Sequence, residues 1–137
     1  GHGKWGRPLI DRQPLERAAL APNHPLHGQL RAIRRRLAPG GEALWWFRTC
    51  EAFGARAGHE FARDWSDFFG CRTAGHTHII AFYQSGLHTL RPGQTPDWPE
   101  DEGLLRGSPT ASQQARPSSR WAPNTITCLH GVIPAAY

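Results

Sequence analysis

The 137-residue chain contains no methionine and only one lysine, Lys4. Without Met, residue 1 is not an intact translation start, so the sequence reads as a processed or excised piece whose address signal, if any, lay upstream. No charged and apolar leader is visible, and the compartment stays open. Long hydrophobic runs are absent too. Hydrophobic residues make up 39% of the chain, but no run approaches the roughly 20 apolar residues that a membrane-spanning helix needs. Cysteine is scarce: Cys50, Cys71 and Cys128 are odd in number and widely spaced, which excludes both a disulfide framework and a Cys-x-x-Cys metal pair. Internal repeats are lacking. So is a continuous basic stripe with interleaved aromatics, despite a net charge of +5. The only basic cluster is Arg31, Arg34, Arg35 and Arg36, so nucleic acid is not an expected partner. The preference for Arg over Lys reads as a coding bias.

Turns are plentiful. The 15 Gly and 12 Pro, with most of the Pro after residue 90, exclude a simple helical bundle and predict long loops. The length suits one domain, with a core over 1–90 and a loop-rich region over 91–137. Residues 1–14 read as a Gly-bearing loop, followed by a short helix over 14–20. Leu30, Ile33 and Leu37 recur at helical spacing, predicting an amphipathic helix over 26–38 that Pro39-Gly40-Gly41 stops. Ala43 to Phe47 is a short apolar, aromatic run, as expected of a strand buried on both faces. Phe61, Trp65, Phe68 and Phe69 mark one face of a helix over 58–70. After a turn at Ala74-Gly75, residues 76–83 read as a second strand, parallel to the first. A last edge strand is expected over 125–133. The alternation of helix and strand predicts a three-layer α/β domain with a mostly parallel sheet and helices on both faces. Trp45, Trp46, Phe61, Trp65, Phe68 and Phe69 are its expected core.

Cys50 falls at the C-terminal end of the first predicted strand, where open α/β sheets place their sites. A thiol there becomes a nucleophile if an imidazole or a helix N-terminus favours the thiolate. Read alone, it serves equally as a small buried core residue. Of the eight histidines, His2 stands out because it lies between two glycines, in a loop that leaves its ring open to a substrate. Cys71 and Cys128 read as structural thiols.

The order His2-Gly3-x-x-Gly6, helix, strand ending in Cys50, helix and further strand resembles the caspase-fold cysteine peptidases. The resemblance is closest to the caspase-like domains of large bacterial surface proteins and toxins, and covers residues 1–83. Two departures stand out: no strand precedes the His-Gly pair, and Cys50 is followed by Glu51-Ala52-Phe53-Gly54. The resemblance implies a three-layer caspase-like fold and a catalytic dyad of His2 and Cys50. It also implies thiolate attack on a peptide carbonyl, with His2 protonating the leaving amine. The amides of Gly3 and Cys50 are the natural oxyanion donors. Gln84, Ser85 and Gly86 would line the pocket for the residue before the cut. No cofactor or metal is implied, and the partner would be a protein or peptide substrate.

Two other classes compete. His76 and His78, two apart on a predicted strand, share a face, and with His88 they suggest a metal-dependent hydrolase. A non-enzymatic interaction module would instead use the Pro-rich C-terminal region as its docking surface. The acidic group Asp97, Glu100, Asp101 and Glu102 reads either as a selector of basic side chains or as an exposed loop.

Overall fold

The computed structural model describes residues 2–137. The N-terminal stretch is an antiparallel meander of β1 (Gly3–Lys4), β2 (Arg7–Ile10) and β3 (Gln13–Pro14). A single 3-10 turn over Arg17–Leu20 replaces the first predicted helix. It leads to α1 (His27–Arg36), which buries Leu30 and ends before Pro39. Next come β4 (Leu44–Trp46), α2 (Ala55–Phe69) and β5 (Arg72–His76). β6 (Tyr83–Gln84), β7 (Leu87–Leu90), the hairpin of β8 (Leu104–Ser108) and β9 (Ala111–Ala115), and β10 (Ile126–Thr127) complete the chain.

The expected three-layer, mostly parallel sheet is not present. The central sheet has three strands in the order β4-β5-β7; β4 and β5 are parallel, but β7 is antiparallel to β5. The remaining strands form small antiparallel sheets of two or three. Strand periodicity explains the two unlike faces, because alternate residues of β4 point to opposite sides. Trp45 joins the main core with Phe47, Phe53, Phe61, Trp65 and Phe69, beneath α2. Trp46 joins a smaller cluster with Ala74, Leu87, Ile126, Ile133 and Tyr137. Helix therefore covers one face, while β10 and the C-terminal segment cover the other. Leu44 is exposed, so β4 is not buried on both faces as expected.

The second predicted strand is displaced along the chain. β5 starts at Arg72 and ends at His76, pairing Leu44, Trp45 and Trp46 with Arg72, Thr73 and Ala74. Ala74 and Gly75, expected in a turn, lie inside it, and their small size leaves room for the Phe53 ring over Gly75. The bulky Ile79 and Phe82 lie exposed in the connection to β7. In the C-terminal region, only Ile126–Thr127 of the expected 125–133 strand forms; it pairs with β6. No helix among the described residues is long and apolar enough to cross a membrane.

Candidate functional site

β4 delivers the chain, through Arg48 and a bend at Thr49, to a turn that runs from Cys50 to Phe53. The ladder to β5 continues beyond the strand: Phe47 N–H donates to Ala74 O (2.7 Å), Glu51 N–H to His78 O (3.0 Å) and Phe53 N–H to His76 O (3.0 Å). Glu51 takes a left-handed backbone (φ 36°), a sparsely populated conformation for a non-glycine residue that surrounding packing must hold. α2 begins directly afterwards at Ala55.

The N-terminal meander lies on this turn. Gly6 N–H donates to Ala52 O at 2.9 Å. At Gly3 the approach is close: an added β-carbon would sit 3.0 Å from the Cys50 carbonyl oxygen and 3.2 Å from Thr49 Oγ1. His2, one residue earlier, is exposed, and Cys50 is half-buried. The Cys50 thiol faces Ile80 O at 3.9 Å. β1, which His2 precedes, and the turn bearing Cys50 are thus backbone neighbours through Gly3.

The other residues expected at the site are distributed unevenly. Gln84 is buried; its Oε1 accepts from Arg48 Nη2 at 3.1 Å, and Arg48 also donates to Cys128 O and lies over the Trp46 ring. Ser85 is fully buried in a separate network, with its hydroxyl bonded to Ser119 O and Thr125 Oγ1 and its N–H donated to Ser118 Oγ. Its side chain is occupied away from solvent. Cys71 is buried, and burial pushes its thiol pKa up, as befits a structural thiol. Cys128 is exposed, so its expected structural role is corrected.

The three histidines of the metal alternative each have other partners. His76 Nδ1 donates to Ser85 O (3.3 Å), leaving Nε2 to accept from Trp46 Nε1 (3.4 Å). Burial lowers its pKa to about 4. Glu102 Oε1 accepts from both His88 Nε2 (2.7 Å) and Thr77 Oγ1 (2.8 Å), and His78 Nδ1 lies 2.9 Å from Thr77 Oγ1. Among the described residues, no group of three or more His, Cys, Asp or Glu is placed to hold a metal. The acidic group divides: Glu102 turns inward, Glu100 pairs with Arg56, and Asp97 and Asp101 are exposed. A cavity of about 540 Å³ lies beside His78, Glu102, Leu104 and Arg116 and includes neither His2 nor Cys50.

The sequence reading missed Glu51, Lys4 and Trp5. Glu51 is buried (2% exposed) directly after Cys50, with Oε1 3.4 Å from Lys4 Nζ. Burial raises its pKa, against the opposing attraction and hydrogen bond of Lys4. Glu51 Oε2, Thr49 Oγ1 and Trp5 Nε1 are buried without a hydrogen-bond partner. The available signal was an acid inside the apolar run after Cys50 and the sole lysine two residues after His2. Compared with known proteins, this chain matches no family model, no curated protein and no solved structure.

Proposed function

We propose that this chain is a cysteine endopeptidase acting through Cys50 and His2. The observation that supports the reading is the close seat of Gly3 against the Cys50 carbonyl, which sets the residue after His2 beside the half-buried Cys50. The reading rests on this local junction, since the sheet is not that of the caspase-like peptidases. In the reaction, the Cys50 thiolate forms an Sγ–C bond with the peptide carbonyl. Collapse of the intermediate breaks the C–N bond as the His2 imidazolium protonates the departing amine. Water then hydrolyses the thioester, releasing the acid and restoring the thiol. The amides of Gly3 and Cys50 serve as oxyanion donors.

The test is iodoacetamide labelling of each cysteine across pH, read by peptide mass spectrometry, alongside turnover of a mixed peptide library. Exposed Cys128 gives the behaviour of an ordinary thiol in the same sample. Labelling of Cys50 with an apparent pKa well below about 8.5, and library cleavage abolished by Cys50→Ala and by His2→Ala, is expected. A Cys50 indistinguishable from Cys128, with no cleavage, overturns the reading.

A second reading, an interaction module, is favoured by the C-terminal segment. Trp121, Leu129 and Val132 are 80%, 82% and 74% exposed there, a concentration of apolar surface of the kind found at contact sites. It predicts no cleavage in the same assay.

A further inference from the structure

We propose that the Trp5 ring and the Glu51 carboxylate form a subsite for a cationic side chain of a peptide, best matched by arginine, and that Lys4 now occupies it. Its role in substrate choice rests on the peptidase reading, but the binding does not.

Lys4 Nζ stands 3.4 Å from Glu51 Oε1 and 5.4 Å from the centre of the Trp5 ring. A carboxylate beside an aromatic face is the pairing that recognises an organic cation. The two partners of the ion pair differ sharply in exposure: Lys4 is 67% exposed and Glu51 is 2%. The lysine thus reaches in from solvent to a carboxylate held inside, and another cation can take its place only when the lysine swings outward.

Glu51 is only half used. Its Oε2 is buried and has no hydrogen-bond partner, although a buried carboxylate ordinarily satisfies both oxygens. The Lys4 ammonium is paired with Oε1 alone. A guanidinium offers two parallel N–H groups that meet both oxygens of a carboxylate, so arginine completes what Lys4 leaves undone. Placement supports a role in a peptide complex. Glu51 directly follows Cys50, and Lys4 follows the glycine seated against the Cys50 carbonyl. A basic side chain held here belongs to a peptide whose backbone crosses the Cys50 turn.

The test uses the full chain carrying Cys50→Ala, so that nothing is cleaved. It is titrated with acetyl-Ala-Ala-Arg-amide and with the same peptide carrying norleucine in place of arginine, following the Trp5 indole N–H by NMR, assigned with Trp5→Phe. The arginine peptide is expected to shift that resonance and to bind at least about tenfold more tightly than the norleucine peptide, the scale of a charge-assisted bidentate contact. Lys4→Met is expected to strengthen arginine binding by removing the internal competitor, and Glu51→Gln to abolish the preference. Lys4→Met changes the exposed partner of the pair and leaves the carboxylate in place, so it remains informative if Glu51→Gln fails to fold. Equal affinity for the two peptides, or arginine binding unchanged by Glu51→Gln, overturns the subsite. Weaker arginine binding in Lys4→Met overturns Lys4 as its occupant. Selective arginine binding in a chain whose Cys50 labels like an ordinary thiol supports the subsite and rejects the peptidase.

Discussion

Two polar clusters lie on either side of the chain crossing that joins Glu51 to His78, and they are built on opposite principles. Around Glu102 the carboxylate, hydroxyl and imidazole groups bond to one another, and the buried atom without a partner, His59 Nε2, lies at the margin against Trp98. The pKa of Glu102 is lowered: burial opposes this, but the hydrogen bond and charge of His88 and the hydrogen bond of Thr77 prevail. Ionised, Glu102 only accepts, so Thr77 must spend its one hydroxyl proton on it. His78 must therefore donate from Nδ1 to Thr77, and His88 from Nε2 to Glu102. Trp98 stacks on the His88 ring at 4.6 Å and closes the cluster from one side. Around Glu51, by contrast, three buried polar atoms lack partners and the backbone is left-handed. Satisfied networks specify a fold, whereas unsatisfied groups and local strain concentrate at functional sites. The Glu102 network is thus largely saturated by its own members, whereas the Cys50 turn leaves buried polar groups open.

The largest expected effect comes from placing a methyl group in each cluster. At Gly86 (φ 63°) an added β-carbon would fall 1.8 Å from Thr77 Oγ1 and 2.7 Å from His78 Nδ1. No rotamer relieves both the overlap and the backbone strain. Gly86→Ala is therefore expected to cost more than about 4 kcal/mol, a large part of the stability of a small domain. At Gly54 the same change meets Trp5 Cδ1 at 3.0 Å and Thr77 O at 3.1 Å, with φ at −80°. A small shift of the Trp5 side chain and of the Thr77 carbonyl accommodates it, at about 1–2 kcal/mol. Urea unfolding followed by tryptophan fluorescence measures both. Equal costs would remove the claim that the first cluster is the rigid one.

Acid distinguishes the clusters next, because their titrations have opposite signs. His76, at the end of the strand leading into the Glu102 network, has its pKa lowered from 6.5 to about 4 by burial. Between those values the unfolded chain binds the proton and the native chain does not. Stability thus falls as pH drops through that window, by about 3 kcal/mol from this group alone. His78, also lowered by burial, adds to the loss. Glu102, lowered as well, adds a further loss as pH falls below 4.5 and through its native pKa. Glu51 runs the other way. Its raised pKa means that the cost of its charge is present above the native value and relieved as pH falls through it. Unfolding free energy from pH 7.5 to 4 should therefore decline in the parent chain, and His76→Gln should flatten the part between 6.5 and 4. An unchanged slope in that variant would mean that His76 is not held neutral.

How much of this was legible in the sequence depends on the scale of the signal. Helical periodicity located α1, whose observed span His27–Arg36 falls inside the expected 26–38, and the aromatic face of α2, which starts three residues before the expected Gly58. The apolar run at 43–47 contains β4. Strand β5 was misplaced because its residues are small and polar: Thr73, Ala74 and Gly75 suit a crowded site under Phe53, whereas hydrophobicity drew the expectation to Ile79, Ile80 and Phe82. The alternation of helices with strands points to a mostly parallel sheet. The chain instead turns back after β5, over residues 77–86, and lays β7 antiparallel. The order of His2 and Cys50 was legible. The Lys4 and Glu51 pair was not, because a charge on an N-terminal loop and an acid in an apolar run reveal their contact only when the meander folds onto the turn.

The smallest effect separates the two clusters most directly, by removing one negative charge from each. Glu102→Gln puts an amide where two donors, Thr77 Oγ1 and His88 Nε2, now share one carboxylate oxygen. The amide's own N–H groups then face a cluster already supplied with donors, and about 2 kcal/mol of stability is expected to be lost. Glu51→Gln removes a charge that burial disfavours more than Lys4 favours it, and the neutral amide still accepts from Lys4. Replacing a poorly compensated buried ion with a neutral group is often harmless or stabilising. The expected change is therefore between none and a gain of about 1 kcal/mol at pH 7, shrinking as pH falls because the parent carboxyl is then neutral as well. Thermal unfolding of both variants at pH 7 and pH 5 reads the signs. A Glu51→Gln chain as destabilised as Glu102→Gln would make Glu51 a second structural charge, and the Cys50 turn would lose the feature that sets it apart.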